Sequence, residues 1–180
     1  RHIVTVSRCS AADIATDFGV LPGALRVVPN GVDTELFKPL PSVTRKPGQI
    51  IATASADAPL KGLPVLLHAF KRLVEAEPER QLVLIARPKA GGDTEALIER
   101  LGLFDQIRFV GGASHEDINR LYAESAVAVV PSLYEGFGLP AVEAMAAGIP
   151  LVSSDGGALA EVVAEGGLSL IHISEPTRLR

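Results

Sequence analysis

The chain has 180 residues, 47% of them hydrophobic and 21% charged, with a formal net charge of −4. That is enough apolar material for one well-buried domain with some excess, and it argues against disorder. The acidic balance gives no electrostatic case for nucleic acid or an anionic membrane surface, no apolar run approaches the ~18 residues of a bilayer span, and a single cysteine, Cys9, excludes an internal disulfide and a Cys-based metal site.

In chain order, short β-rich runs alternate with amphipathic helical stretches. The pattern predicts a strand over 3–6, a helix over 10–18 and a strand over 26–28; a Pro/Gly-dense surface connection over 38–48 follows. Then come strand 49–53, helix 63–77, strand 82–86, helix 94–101, strand 107–110, helix 115–123, strand 127–130, helix 140–147, strand 151–153 and helix 158–164. Helix 63–77 carries an apolar stripe of Leu63, Leu66, Leu67, Phe70 and Leu73, with His68 beside it and expected to be partly buried. Cys9 is expected as a small core residue. Alternation of this kind implies parallel strands joined by right-handed crossovers with helices on both faces, and the strands lack polar alternation, as a doubly covered sheet requires. The expected fold is therefore α/β, a doubly wound, Rossmann-like parallel sheet.

The most informative stretch is SLYEGFGLPAVEAMAAG, residues 132–148. A strand runs into a glycine-interrupted loop, and a helix opens at Leu139–Pro140, with proline in the first turn where its missing N–H costs nothing. Gly136 and Gly138 admit close backbone approach, so free N–H groups of the new helix can face an anion or an oxygen. Glu135 stands in the loop and Glu143 eight positions on; a helical side chain leans back toward its N-terminus, so both can point at one spot. Two carboxylates beside a phosphate-type cradle make sense for a ligand that also carries hydroxyls. The plain alternative is a solvated loop glutamate and a helix-start glutamate favoured by the macrodipole.

These residues carry a family resemblance. EGFGLPAVEAMAAGIPLVSS (135–154) resembles the donor-binding signature of retaining glycosyltransferases of the GT-B fold, family four (glycosyl transferases group 1), whose paired glutamates match Glu135 and Glu143. Four further segments fall in the family's order: VVPNGVDTELFKP (27–39), LKGLPVLLHAF (60–70), FVGGASHEDINRLY (109–122) and GGALAEVV (156–163). The resemblance implies one half of a GT-B architecture. Residues 1–24 would be the last strand and helix of an otherwise missing acceptor domain, and 25–167 the nucleotide-sugar donor-binding domain. Residues 168–180 match nothing in the family, resemble the translation of a sequencing adapter, and are expected to be non-native. The start lacks a methionine and a signal-peptide pattern, which suggests a fragment.

Every motif is predicted just past the carboxyl end of a strand, the edge along which open parallel sheets bind ligands. By the resemblance, the catalytic residues are Glu135, which holds the sugar, and Lys61, which neutralises the diphosphate leaving group. Gly136, Phe137, Gly138, Leu139, Glu143, Gly111 and Gly112 bind substrate, Glu143 through the ribose and the two glycines beside the base. Lys61, Glu135 and Glu143 are expected to converge on one hollow. The alternative for Lys61 is an ordinary solvated lysine, though a cation at a helix start is mildly disfavoured. Most family members carry an arginine five residues before this lysine; here the position is Ala56, and Arg87 or Lys89 could supply the charge or simply be surface residues. Ser114 reads best as a helix cap with Asp117, and His115 as a first-turn surface residue. Asp155–Gly157 could lend N–H groups to a ligand or form a tight turn.

The expected activity is transfer of a sugar from a nucleotide-diphosphate sugar to an acceptor hydroxyl with retention of configuration. The acceptor is unknown and could be a glycan or a lipid-linked group. No cofactor or metal is implied, since protein cations and helix N-termini can carry the diphosphate charge. A cytoplasmic setting follows, with peripheral association at the inner membrane face left open. The competing readings are a non-catalytic nucleotide-sugar binding module, an epimerase of related fold, and a truncated product inactive by itself.

Overall fold

The computed structural model describes residues 2–53 and 58–164, and the backbone of 168–169. A first unit consists of β1 (Ile3–Thr5), helix α1 (Arg8–Phe18) and β2 (Leu25–Val27); the two strands pair in parallel as a two-stranded sheet. The principal sheet holds β3 (Lys46–Thr53), β4 (Gln81–Ile85), β5 (Ile107–Phe109), β6 (Ser125–Val130), β7 (Leu151–Ser153) and β8 (Leu168–Ser169), every pairing parallel. Helices α2 (Leu63–Ala76), α3 (Asp93–Leu101), α4 (His115–Glu124), α5 (Leu139–Ala146) and α6 (Leu159–Val163) connect them. The order is β5-β4-β3-β6-β7-β8. It runs outward one way from β3 and the other way from β6, as expected of a doubly wound sheet, with its switch point between those two strands.

Side-chain alternation explains why both faces are dry. Ile50 and Ala52 of β3 and Leu82 and Leu84 of β4 face one core with Leu63, Leu67, Phe70 and Ile98 of α2 and α3. Their neighbours Ile51 and Val83 face the opposite core, with Tyr122 of α4, Ala141 and Ala144 of α5 and Leu159 of α6. Small alanines on α5 let that helix lie close to the sheet, since close-packed interiors leave no room for larger groups there.

Details depart from the sequence reading for identifiable reasons. The buried stripe of α2 ends on Val74, and Leu73 is 46% exposed; eleven residues close three helical turns, and ten fall short of the stripe. His68 is exposed, one position round from the buried Leu67. Cys9 is half-buried and gives its backbone N–H to Glu161 Oε1 at 3.0 Å, so it is not a core residue. β2 bonds to β1 and not to the principal sheet, whose first strand begins at Lys46. Phe37, in the connection between β2 and β3, is a core residue packed on Tyr122 at a ring separation of 6.4 Å. Of the tail over 168–180, only Leu168–Ser169 lie within the described residues, where their backbone pairs with β7.

Tyr122 ties the switch point together. Its buried hydroxyl lies 3.3 Å from Thr53 Oγ1 at the end of β3 and donates at 3.3 Å to the Pro140 carbonyl in the first turn of α5. Burial pushes the phenol above its usual range, so it remains a neutral donor. Tyr122→Phe keeps the ring and deletes these bonds; we expect a loss of about 1 kcal/mol and a melting temperature lower by roughly 2–4 °C, read by thermal unfolding.

Candidate active site

Past the carboxyl ends of β3 and β6, two helices start at the same sheet edge, on opposite faces and without side-chain caps: α2 behind Gly62 and α5 behind Gly138, each with a proline in its first turn. Their first N–H groups have no intrahelical partner. Lys61 closes a 3₁₀ turn (Pro59–Lys61) ahead of α2, and Glu135 lies in the loop between β6 and α5. Lys61 Nζ donates to Glu135 Oε1 at 2.7 Å, with the side chains 31% and 12% exposed. Ser132 Oγ donates to the same oxygen at 2.8 Å. The backbones are linked too, Leu133 N–H donating to the Leu60 carbonyl at 2.8 Å.

The Glu135 loop is braced from behind by the turn after β7. Glu135 N–H donates to the Gly156 carbonyl at 3.3 Å, Ala158 N–H donates to the Glu135 carbonyl at 2.8 Å, and Ser154 Oγ donates to the Ser132 carbonyl. A side chain at Gly156 would place its Cβ 2.5 Å from the Leu133 carbonyl oxygen, so the two glycines are what admits this contact. The Asp155–Gly157 segment is thus a structural turn that holds Glu135. Ser132 and Gly156–Gly157 escaped the sequence reading as supports of Glu135; the Gly-Gly pair three residues past the end of β7 was the available signal.

Glu143 sits half-buried on α5 and makes no hydrogen bond or ion pair among the described residues. Burial raises its carboxyl, against a smaller opposing pull from His115. A carboxylate left without donors is suited to take them from ligand hydroxyls. Among the described residues no hydrogen bond or ion pair joins it to the Lys61–Glu135 pair; His115 and Tyr122 are its electrostatic neighbours. His115 is exposed at the start of α4 and lies against Phe37, ring centroids 5.9 Å apart, while Ser114 and Asp117 form a reciprocal capping box as expected.

The carboxyl shift gives a signed prediction. Because the folded value lies above the unfolded one, the folded protein holds the proton more tightly, and stability falls as pH rises through that interval and stays lower beyond it. Glu143→Gln removes the penalty. Its melting temperature should exceed that of the unmodified protein at pH 7, and the difference should vanish below about pH 4.

Of the remaining expected residues, Gly138 is buried, Gly136 and Phe137 are half-buried and Leu139 is exposed. Phe137 lines a hollow of about 470 Å³ between the start of α1 and helices α5 and α6. Gly111 and Gly112 are exposed past β5 and border a separate hollow of about 380 Å³ with Arg108, Asp117 and Arg120. The exposed Arg87 side chain lies over both glycines, a Cβ at Gly111 falling 2.6 Å from Arg87 Cγ. Lys89 is exposed nearby, and Ala56 lies outside the described residues.

A doubly wound sheet with a Lys–Glu pair and two uncapped helix starts at its switch point defines the class: an α/β domain of Rossmann-like architecture. The chain belongs to the glycosyl transferases group 1 family, whose model matches residues 37–177. It is 54% identical over 167 residues to the MMP alpha-(1->4)-mannosyltransferase of Mycolicibacterium hassiacum, covering 92% of this chain and 40% of that protein. It is 34% identical over 172 residues to D-inositol 3-phosphate glycosyltransferase 2 of Catenulispora acidiphila, covering 87% and 40%. Among solved structures it resembles Anabaena Alr3699/HepE in complex with UDP and glucose, with a TM-score of 0.79, 26% identity, and coverage of 93% of this chain and 48% of that one. Its fold corresponds to one half of the GT-B glycosyltransferase architecture. The chain spans about 40% of the length of these curated relatives. Among the described residues, no helix is long and apolar enough to cross a membrane.

Proposed function

We propose that this chain is the donor-binding part of a retaining glycosyltransferase that uses a nucleotide-diphosphate sugar and needs no metal or other cofactor. The observation that carries the reading is the Lys61–Glu135 pair at 2.7 Å between two uncapped helix N-termini. On binding, Lys61 turns from Glu135 toward the diphosphate, and the freed carboxylate accepts hydroxyls of the sugar. The N–H groups opening α2 and α5 face the phosphates, and Glu143 accepts from the ribose. In the transfer step the bond from the anomeric carbon to the diphosphate oxygen breaks. The bond to the acceptor oxygen forms on the same face, and the acceptor proton passes to the departing phosphate. Lys61 offsets the charge that gathers on that leaving group.

The relative at 54% identity is named as an α-(1→4)-mannosyltransferase. A mannosyl donor is therefore the first to test, and an α-linked product from an α-linked donor is what retention requires. Acceptor binding and water exclusion fall to protein outside the donor half, so the 180-residue chain binds donor and does not turn it over. The setting is cytoplasmic.

Thermal shifts of the chain across a panel of nucleoside diphosphate sugars test the donor class, since a ligand that binds only the folded form stabilises it. A shift with one or more of them, mannosyl donors foremost, is expected; none across the panel sinks the reading. Anomeric configuration of the product formed by the complete protein, read by NMR coupling, tests retention.

A further inference from the structure

Ser7 follows β1 and caps α1, its hydroxyl oxygen accepting the Ser10 N–H at 3.0 Å. The same hydroxyl donates at 2.7 Å to the carbonyl oxygen of Gly136, far away in the chain, and Ser10 Oγ donates to that oxygen at 3.2 Å. Ser7 is only 3% exposed, so its bond is shielded from competing water. Two hydroxyls on one carbonyl are an unusual investment for a surface loop, whose polar groups water ordinarily satisfies.

The rest of the loop is already immobilised. Glu135 has its N–H and C=O committed to the turn after β7, and its carboxylate held by Lys61 and Ser132. A trans peptide holds its C=O and N–H on opposite sides, and the chain contains no cis bond among the described residues. With the Gly136 carbonyl drawn toward α1, the Phe137 N–H faces away from α1. It has no hydrogen-bond partner among the described residues. It stands one residue ahead of Gly138, behind which α5 opens uncapped.

We infer that Ser7 and Ser10 are positioning residues whose hydroxyls, by holding the Gly136 carbonyl, aim the Phe137 N–H at an oxygen of the glycosyl group carried by the donor. This rests on the donor reading above and adds to it a dependence on α1. Tyr134, which donates to Asp13, and the Arg8–Glu161 pair at 3.0 Å join α1 to the same region. Movement of α1 relative to the principal sheet therefore turns the N–H out of line.

The test compares binding of a sugar donor with binding of the nucleoside diphosphate alone, using UDP-glucose with UDP and GDP-mannose with GDP, by calorimetry on the 180-residue chain. Ser7→Asp keeps an N-cap acceptor but replaces the donor with an anion facing a carbonyl. Ser10→Ala deletes the second donor and leaves the cap intact, and Ser7→Thr preserves both functions. The expected result is a sugar-donor Kd raised roughly tenfold by Ser7→Asp and a few-fold by Ser10→Ala. The nucleoside diphosphate Kd should stay within about twofold of the unmodified chain, and Ser7→Thr should behave as unmodified. Equal weakening of both ligand types, or no weakening of either in Ser10→Ala, overturns the inference. If the unmodified chain binds the sugar donor no better than the nucleoside diphosphate, the inference alone fails. If it binds neither, the donor reading has failed and the inference falls with it. Should Ser7→Asp not fold, Ser10→Ala still decides.

Discussion

Lys61→Ala in the complete protein is expected to lower glycosyl transfer by roughly 10²–10³-fold at saturating donor, the usual consequence of losing a preorganised charge at a developing anion. The structure adds a second effect. Lys61 is paired with the Glu135 carboxylate, whose side chain is 12% exposed, and its removal leaves that group, among the described residues, with the Ser132 hydroxyl. Stripping one partner from a fully buried pair costs about 3–5 kcal/mol. The lysine here is 31% exposed, so water partly replaces it and about 1–2 kcal/mol is the appropriate scale. Lys61→Arg keeps the charge, but a planar fork cannot sit as a compact ammonium does, so only partial rescue is expected. The two effects separate experimentally: the stability loss appears in urea unfolding without donor, and the rate loss in single-turnover transfer. A variant with unchanged turnover would remove Lys61 from the mechanism.

Gly62→Ala should be strongly damaging, since a Cβ there makes the tightest contact of any described glycine. Gly62 has φ +63°, and a Cβ built there falls on the carbonyl oxygen of Pro131 and 2.8 Å from its carbon. The left-handed conformation alone costs an alanine about 1–2 kcal/mol. Pro131 is buried at the end of β6, so its backbone cannot step aside, and overpacking adds roughly 1–3 kcal/mol. We expect a total loss of about 2–5 kcal/mol, seen as a lower urea midpoint with an unchanged slope. Because the helix start must move away from β6, Lys61 and Glu135 separate, and donor binding should weaken together with stability. An alanine variant of unaltered midpoint would mean the contact between the two strand ends is slack.

Legibility differed between the elements and the site. Periodicity placed the strands from β3 to β7 and the helices from α2 to α6, because burial on both faces leaves a local trace in apolar runs and stripes. It misplaced Leu73 and His68, where a shift of one residue round the helix changes exposure. Phe37 and the β1–β2 pairing were not readable, since both depend on partners distant in the chain. Lys61, Glu135 and Glu143 came from the resemblance to a family and from their positions after strands. That Lys61 grips Glu135, and that Glu143 has no hydrogen-bond or ion-pair partner among the described residues, required coordinates.

The chain's alternating pattern by itself determined an α/β parallel sheet and put its charged residues after strand ends, for both are encoded within runs of a few residues. Tertiary structure alone decided which strand ends become neighbours. Placing β3 beside β6 brings together groups more than seventy positions apart, Lys61 and Glu135. The docking of α1 sets two serine hydroxyls on the Gly136 carbonyl. Such contacts arise from strand order and helix docking, which leave no local signature because the closure of long loops is set by the whole fold.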